Sequence, residues 1–384
     1  MIQQRSTTAR KTSFRARVKV RDDEGRWSVV YGPWTISKPR AQRDERQLLR
    51  RRDDGSLTSA RGVTLAGYLE REWLPAVTKV SKRGGPLAPT TWARYEQAVG
   101  RIAASIGKVR LTQLRASHVE RLREELLATG TLAPQTVADV LRVLSQALAR
   151  ATARGLIGRN HADASIVNRP VGEPGKFAVV TPELGKQILG AARSADPWDA
   201  AAHLALGMSL RREEVLGLGW EHVDLEARIL RVRRTLTYAG KALYWGPPKS
   251  AAGKRDLPIP GFVAEALRRH RAAQLRRRLL LGEAWPLEGV IDDLVVDKGD
   301  GGPWLPPSFS TYWARWAEGQ GFGQVTFHGL RHGTATLLLA AGVPDRVVAE
   351  IMGHADTRIL RRYQEVVPEL LADASARLEA LLAD

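Results

Sequence analysis

Nearly a hundred consecutive residues, from 63 to 158, carry apolar side chains at a spacing of three or four. The segments are TLAGYLEREWLPAV, APTTWARYEQAVGRIAASI, RASHVERLREELLATG and PQTVADVLRVLSQALARATARG. This spacing puts the apolar side chains on one face of a helix, which must then be buried. Several segments begin with Thr or Ser near Pro, and two end at Gly, as helices commonly do. The region therefore predicts a bundle of four or five helices.

The stretch FRARVKVR, residues 14–21, alternates strictly and predicts a strand instead. Its four apolar side chains would lie on one face and its four basic side chains on the other. The apolar positions are Phe14, Ala16, Val18 and Val20, and the basic positions are Arg15, Arg17, Lys19 and Arg21. DDEG then favours a turn, RWSVVYG a second strand, and residues 39–52 a short helix.

A small sheet with one basic face, backed by a helix, suits the major groove of DNA. The alternative is an ordinary solvated sheet face. Residues 1–60 hold fifteen Lys and Arg against seven Asp and Glu, and four alternate positions put their charges on one side. We therefore expect this face to contact DNA.

Two stretches rich in polar residues, Gly or Pro predict linkers, RRDDGSLTSARG (51–62) and RPVGEPGKF (169–177). They divide the chain into three predicted domains: 1–60, 61–168 and 169–384. In the third, β-branched and aromatic runs predict strands near 229–237, 242–246 and 254–259. The predicted fold class is multidomain and mainly α. It combines a small N-terminal sheet plus helix, a helical bundle, and a mostly α domain with a small antiparallel sheet.

The charge balance narrows the function. The 384 residues hold 59 Lys and Arg against 41 Asp and Glu, a formal charge of +18. Such an excess favours a polyanionic partner, nucleic acid first and a membrane surface second. No apolar run approaches the roughly 18–20 residues of a membrane span, and the start lacks an apolar signal core. The absence of cysteine excludes disulfides, thiolate metal sites and a cysteine nucleophile, and fits a reducing cytoplasm.

TFHGLRHGTATLLLAAG, residues 326–342, predicts a helix capped by Thr326. His328, Arg331 and His332 lie at positions i, i+3 and i+4 and therefore share a face. Two histidines four residues apart suit zinc in metalloproteases, but the Glu of that motif is absent. A phosphate site fits better, because guanidinium and imidazolium groups both donate to phosphate oxygens.

Two further segments hold cations that would serve a phosphate. LRREEVLGLGW (210–220) begins with Arg211 and Arg212, and Glu214 is three residues from Arg211, where it could orient that arginine. Taken alone, this pattern is more typical of a surface salt bridge. GPPKSAAGKRDLPIP (246–260) places Lys249 between two predicted strands, which alone predicts only an exposed lysine.

ILRRYQEV, residues 359–366, places Tyr363 directly behind two arginines. Phenol has a pKa of about 10 and is a poor nucleophile at neutral pH. A reactive tyrosine would therefore need nearby cations, a proton acceptor and a charged substrate. The alternative is an ordinary half-buried aromatic.

Taken together, LRREEVLGL, PPKSAAGKRDLPIP, HGLRHGTA and GHADTRILRRY resemble, in this order, the motifs of the tyrosine recombinase (phage integrase) family. That family has an arginine, a hairpin lysine, His-x-x-Arg, and Gly-His followed nine residues later by a tyrosine. Here His354 precedes Tyr363 by nine. The helical segments resemble the family's SAM-like core-site-binding domain, and the N-terminal sheet resembles its arm-site-binding domain. Among the departures, Met208-Ser209 stands where the family usually has Thr-Gly.

The resemblance implies a reaction. A tyrosine would attack a DNA phosphodiester to give a 3′-phosphotyrosine and a free 5′-hydroxyl, with no ATP, metal or cofactor. The residues implied are Tyr363 as nucleophile, Arg211, Arg331 and His354 as neutralising donors, His328 as base, Lys249 as acid, and Glu214 and His332 in support. Lys254 lies in the same segment as Lys249 and is the alternative acid.

The resemblance also implies partners. These are double-stranded DNA with core-type and arm-type sites, further copies in a tetramer, a directionality factor and a host DNA-bending protein. An apolar C-terminal stripe, from Leu370 to Leu382, would pack on a neighbouring copy or on its own domain. The expected location is the nucleoid in the cytoplasm.

The leading function is therefore an integrase that inserts or excises a prophage or mobile element. The alternatives are a type IB topoisomerase, a recombinase that resolves chromosome or plasmid dimers, and a DNA-binding regulator without catalysis.

Overall fold

The computed structural model describes residues 1–6, 12–21, 27–53, 63–79, 87–172, 179–193, 195–285 and 293–354. The chain divides into two compact units, Met1–Pro174 and Gly175–Asp384. Tyr363 and the apolar C-terminal stripe lie outside the described residues. Among the helices that are described, none is long and apolar enough to cross a bilayer.

The N-terminus forms the predicted small sheet and helix. Three antiparallel strands, β1 (Ile2–Ser6), β2 (Thr12–Arg21) and β3 (Trp27–Tyr31), lie in the order β1-β2-β3, and α1 (Lys38–Asp53) follows. Val18 and Val20 are buried and pack with Leu48 and Leu49 of α1. The helix therefore covers the apolar face of β2, and the basic face is turned away from it.

The rest of the first unit contains the predicted helical bundle. Its elements are α2 (Leu65–Tyr68), a π-helical turn (Leu69–Trp73), α3 (Leu74–Lys79), α4 (Pro89–Ile106), α5 (Ala116–Ala128) and α6 (Pro134–Ala153). The apolar faces meet in one core that includes Tyr68, Ile102, Leu122 and Leu144. The Tyr68 hydroxyl donates to the Ala147 carbonyl at 3.0 Å, so its polar end is satisfied inside this core. The boundary near residue 60, between sheet and bundle, stays a prediction.

The second unit is mostly helical. Its helices are α7 (Pro182–Ala192), α8 (Trp198–Ala202), α9 (Arg212–Leu216), α10 (Gly261–Leu281), α11 (Pro306–Gly319), α12 (Phe327–Ala340) and α13 (Asp345–Met352). Aromatic side chains anchor its core, with the Phe309 and Phe327 rings edge to face at 4.9 Å. This contact joins α11 to the first turn of α12, the helix predicted to carry His328 and Arg331.

Five short strands complete the second unit: β4 (Val223–Asp224), β5 (Ile229–Val232), β6 (Thr235–Ala239), β7 (Ala242–Gly246) and β8 (Arg255–Pro258). They form two antiparallel sheets, β4-β5-β8 and β6-β7. The single strand predicted over 229–237 is wrong, because the chain leaves the first sheet after Val232. Arg234 donates to the Gly217 carbonyl at 2.8 Å, which draws the start of β6 towards the end of α9.

Candidate active site

Among the described residues of the second unit, Arg331 is the most enclosed arginine or lysine, with 2% of its surface exposed. Thr326 caps α12 by accepting from the Gly329 amide at 3.0 Å. This bond fixes the first turn of the helix, and Arg331 follows in the next turn. The Arg331 guanidinium donates to the carbonyls of Ser209 and Met352 and lies 3.1 Å from Nε2 of His354. One planar group thus links the segment before α9 to the end of α13.

Glu214 lies at the centre of these cations and is 2% exposed. Arg211 donates to it through Nη1 at 2.6 Å and through its backbone amide at 3.0 Å. Arg255 donates to both carboxylate oxygens, at 3.3 and 3.0 Å, and Arg331 Nη1 lies 4.0 Å away. Burial alone would raise the pKa of Glu214, but bonds and charges from Arg255 and Arg211 outweigh it and lower the pKa. These four residues are called the Glu214 cluster below.

The neighbouring residues Arg211 and Arg212 have different partners, and only one of them belongs to the cluster. Arg211 donates to Glu214 and, through Nη2, to the Gly353 carbonyl at 3.2 Å. Arg212 instead pairs with Glu213 and donates to the Ser310 hydroxyl of α11 at 2.7 Å. Arg211 is therefore the member of the pair that joins the cluster.

Gly353 ends α13 in the left-handed conformation, with φ of 62°. A Cβ at this position would meet Arg255 Nη1 at 2.8 Å and the Ala252 carbonyl at 3.0 Å. The position therefore requires glycine for its backbone angle and for the close approach of its neighbours. This turn places His354 beside Arg331.

His354 is held neutral near pH 7. Burial, followed by the charges of Arg331 and Arg211, lowers the pKa of His354 to about 4. Because Nε2 lies in bonding range of an Arg331 N–H, it serves as the acceptor, and the ring proton is assigned to Nδ1. Nδ1 is buried and has no hydrogen-bond partner among the described residues, so the donor capacity of this N–H is not used there.

His328 and His332 lie one turn apart on α12, with ring centres 4.5 Å apart at 87°. Desolvation by the surrounding protein, and then the Arg331 charge, lower the pKa of His328. His328 is therefore neutral at pH 7 and able to accept a proton. The rings of His328 and His332 share a face of α12, as the sequence predicted. The Arg331 side chain, which was predicted to project with them, is buried.

Lys249 lies in the connection between β7 and β8 and is exposed. Lys254, the alternative acid, is also exposed and directly precedes β8. Because both lysines are exposed, exposure does not indicate which of them is the acid. Among the described residues, no group of three His, Asp or Glu side chains is placed to hold a metal ion.

Sequence reasoning missed Arg255. A signal was present, because Arg255, Leu257 and Ile259 alternate with exposed residues in and just after β8 and are all buried. An arginine on the apolar side of a strand must find a buried acceptor, and Glu214 is that acceptor.

The basic face of the N-terminal sheet holds aromatic side chains as well. The Arg15 guanidinium lies 3.9 Å from the Tyr31 ring centre and 4.5 Å from that of Trp34, and it donates to Gln3 at 2.8 Å. Arg17 pairs with Tyr31 across the strands, and Lys19 is exposed. Arg21 ends β2, and its side chain lies outside the described part. We call Arg15, Arg17, Lys19, Trp27 and Tyr31 the open face.

The second unit as a whole has a recognisable sequence signature. The sequence model of the phage integrase family matches residues 179–369, a range that contains Arg211, Lys249, His328, Arg331, His354 and Tyr363. The chain belongs to this family of tyrosine recombinases.

Individual relatives extend the likeness along the chain. A "Tyrosine recombinase XerC-like" protein of Caldanaerobacter subterraneus subsp. tengcongensis is 25% identical over 97% of both chains. The Tn1549 transposon integrase, solved with transposon right-end DNA, matches 84% of this chain and all of its own, with a TM-score of 0.67 and 18% identity. A lambda integrase tetramer on a Holliday junction matches 94% of both chains, with a TM-score of 0.56 and 17% identity. The two structures support the same multidomain fold.

This tyrosine recombinase is therefore a site-specific enzyme that cleaves and rejoins DNA. Family membership and the match along the whole chain favour this function over the topoisomerase and non-catalytic alternatives.

Proposed function

We propose that this recombinase is an integrase that breaks each DNA strand through Tyr363. The observation that carries the proposal is the bond between Arg331 and neutral His354, in a cluster that also holds Arg211. His354, which contacts the cluster through Arg331, lies nine residues before the tyrosine. Three guanidinium groups surround one carboxylate, so the cluster keeps net positive charge for a phosphate.

In the proposed step, the Tyr363 oxygen attacks phosphorus and the bond from phosphorus to the 5′-oxygen breaks. The products are a 3′-phosphotyrosine and a 5′-hydroxyl, and the reverse reaction on a partner strand rejoins the DNA. Negative charge grows on the non-bridging oxygens. Arg211 and Arg331 would neutralise it, with the His354 Nδ1–H as a third donor. Arg331 acts in a poorly screened environment, because it is almost fully enclosed.

Two proton transfers complete the step. His328 would take the phenol proton, and its lowered pKa keeps the acceptor form present at neutral pH. Lys249 would protonate the leaving 5′-oxygen. Glu214 would hold Arg211 and Arg255 in place, and His332 would support His328 through its ring contact.

The proposal includes two kinds of DNA contact. The helical bundle would bind the core site, and the open face of the N-terminal sheet would bind a separate arm site. The lambda integrase tetramer supports assembly of four copies on the DNA. A directionality factor and a DNA-bending protein would act with them in the bacterial cytoplasm.

The nucleophile is tested with Tyr363→Phe, which removes one oxygen. The duplex should carry the attachment site, which is to be identified by sequencing the DNA that flanks the gene. On this duplex the wild-type chain should form a covalent protein–DNA adduct that survives denaturation. Tyr363→Phe should bind the duplex normally and form none, while the control Tyr312→Phe, at an exposed position of α11, should form it normally. An adduct that persists in Tyr363→Phe and maps to another tyrosine would overturn the assignment. Joining of two marked duplexes, rather than relaxation of one, separates an integrase from a topoisomerase.

A further inference from the structure

Arg255 is a buried arginine that has no direct role in the reaction proposed above. Its guanidinium makes contacts in three directions. Nε donates to the Ile351 carbonyl at 2.8 Å, Nη1 to the Gly253 carbonyl at 3.0 Å, and Nη2 to Glu214 at 3.0 Å. One rigid group thus connects the end of α13, the turn before β8, and the carboxylate that holds Arg211.

The contact with Gly253 leads to Lys249. Gly253 packs so closely on Pro248 that a Cβ there would lie 2.6 Å from the proline Cβ. The Gly253 amide donates to the Ser250 carbonyl at 2.9 Å, and the Lys254 amide to Ala251 at 3.0 Å. Residues 248–254 therefore form a compact turn, and Arg255 is bonded to one of its carbonyls. Lys249 extends from this turn directly after Pro248.

The contact with Ile351 leads to His354. Arg255 Nη1 and the Ala252 carbonyl approach the space where a Gly353 side chain would lie, at 2.8 and 3.0 Å. The turn that carries Lys249 therefore packs on the residue before His354. A displacement of Arg255 would change the position of the lysine turn relative to both Glu214 and Gly353.

We infer that Arg255 is a positioning residue that sets Lys249 against the phosphate donors. The inference rests on the proposed role of Lys249 as the acid for the leaving oxygen. Arginine is required because its planar fork satisfies Glu214, Gly253 and Ile351 together. A lysine keeps the charge beside Glu214 but has no second nitrogen with which to hold the turn.

The test compares Arg255→Lys with the wild-type chain on two DNA duplexes. One carries the ordinary phosphodiester, and the other carries sulfur at the scissile 5′-bridging position. A 5′-alkoxide needs a proton to leave, whereas a thiolate leaves without one. Arg255→Lys should cleave ordinary DNA on the order of 100-fold more slowly, as a misplaced acid would, and should recover most of that loss on the sulfur duplex. Lys249→Ala should behave in the same way.

Arg269→Lys is the matched control. Arg269 pairs with buried Asp199 at 3.2 Å on another helix of the same unit, so it undergoes the same change against a buried carboxylate. It should cleave both duplexes at the wild-type rate. Gly253→Ala is a second variant that moves the lysine turn but leaves the Arg255 side chain intact, and it should also be rescued by sulfur.

Equal loss on both duplexes for Arg255→Lys would overturn the inference, because the arginine would then serve only Glu214 or the fold. If Arg255→Lys does not fold, Gly253→Ala decides the matter, and normal cleavage of ordinary DNA by that variant would overturn the link to Lys249. Failure of the proposed function is visible separately, as the absence of a Tyr363 adduct in the wild-type chain.

Discussion

Arginine side chains occupy two contrasting environments in this recombinase. In the Glu214 cluster, Arg331 and Arg255 are buried, and backbone carbonyls and one carboxylate fix the direction of each N–H. On the open face, Arg15 stacks on aromatic rings, and Lys19 extends into solvent. The buried arginines have exchanged water for fixed partners, so Arg331 would already be oriented for the phosphate of the proposed reaction. On the open face Lys19 is exposed and Arg15 and Arg17 are half-buried, so these cations keep contact with water and are screened by salt.

This difference separates rate from affinity. A buried cation with fixed donors stabilises charge that develops during the reaction, and its removal affects cleavage. A row of exposed cations attracts any DNA backbone and releases counterions, so its removal affects binding and the dependence of binding on salt. The following predictions test how the protein holds its buried charges and whether its exposed cations contact DNA.

The largest effect is expected at Glu214, the single carboxylate among three arginines. Glu214→Gln removes the negative charge but keeps the shape, and it leaves Arg255 and Arg331 buried beside a neutral amide. Breaking a buried ion pair in this way costs about 3–5 kcal/mol. The unfolding midpoint of the full chain in urea, followed by tryptophan fluorescence, should fall accordingly.

Asp256→Asn is the control for that experiment. Asp256 pairs with Arg233, the residue that follows β5, but the Asp256 side chain is 52% exposed. Exposed pairs contribute only about 0–1 kcal/mol, so the midpoint should barely move. Equal losses in the two variants would show that breaking the buried ion pairs of Glu214 costs no more than breaking an exposed pair.

A smaller effect is expected on the open face. Replacing Arg17 and Lys19 together by Ala should weaken binding to arm-site DNA and leave cleavage of isolated core DNA unchanged. Each phosphate contact contributes about 0.9 to the slope of log affinity against log salt concentration, so the slope should become less steep by up to about 1.8. An unchanged slope would show that these side chains do not contact phosphates. Arg46→Ala, on the exposed surface of α1, is the comparison that changes charge without changing this face.

The sequence predicted much of this contrast, for a physical reason. Periodicity reports which face of an element is buried, so the alternation of FRARVKVR and the helical spacing over 63–158 were enough to predict those elements. It does not report long-range partners. The bond from Arg234 to the Gly217 carbonyl, just after the break between β5 and β6, joins residues 17 apart, and that from Arg255 to Glu214 joins residues 41 apart.

Ser209 shows the same limit on a smaller scale. Its φ is 54°, a left-handed conformation that favours glycine, and its carbonyl accepts from Arg331. The family usually has glycine here, and this geometry explains why. The serine itself gave no local sign of the unusual backbone angle, because the angle is imposed by contacts with α12.

The smallest effect is expected at His354, a titratable residue that contacts Arg331 of the Glu214 cluster. Its pKa in the folded chain is about 4, below the value of about 6.5 in an unfolded chain. Between these values the unfolded state binds more protons, so folding stability falls as the pH falls from about 6.5 towards 4. His354→Gln keeps an acceptor for Arg331 but does not titrate. Between pH 7 and pH 5 the wild-type chain should therefore lose more stability than His354→Gln.

The pKa of His328 is also lowered and that of Asp196 is raised, but both groups titrate in both proteins and cancel in the comparison. The measurement is the urea midpoint of each protein at the two pH values. Equal shifts would place the His354 ring in water, and not against the guanidinium groups that hold its pKa low.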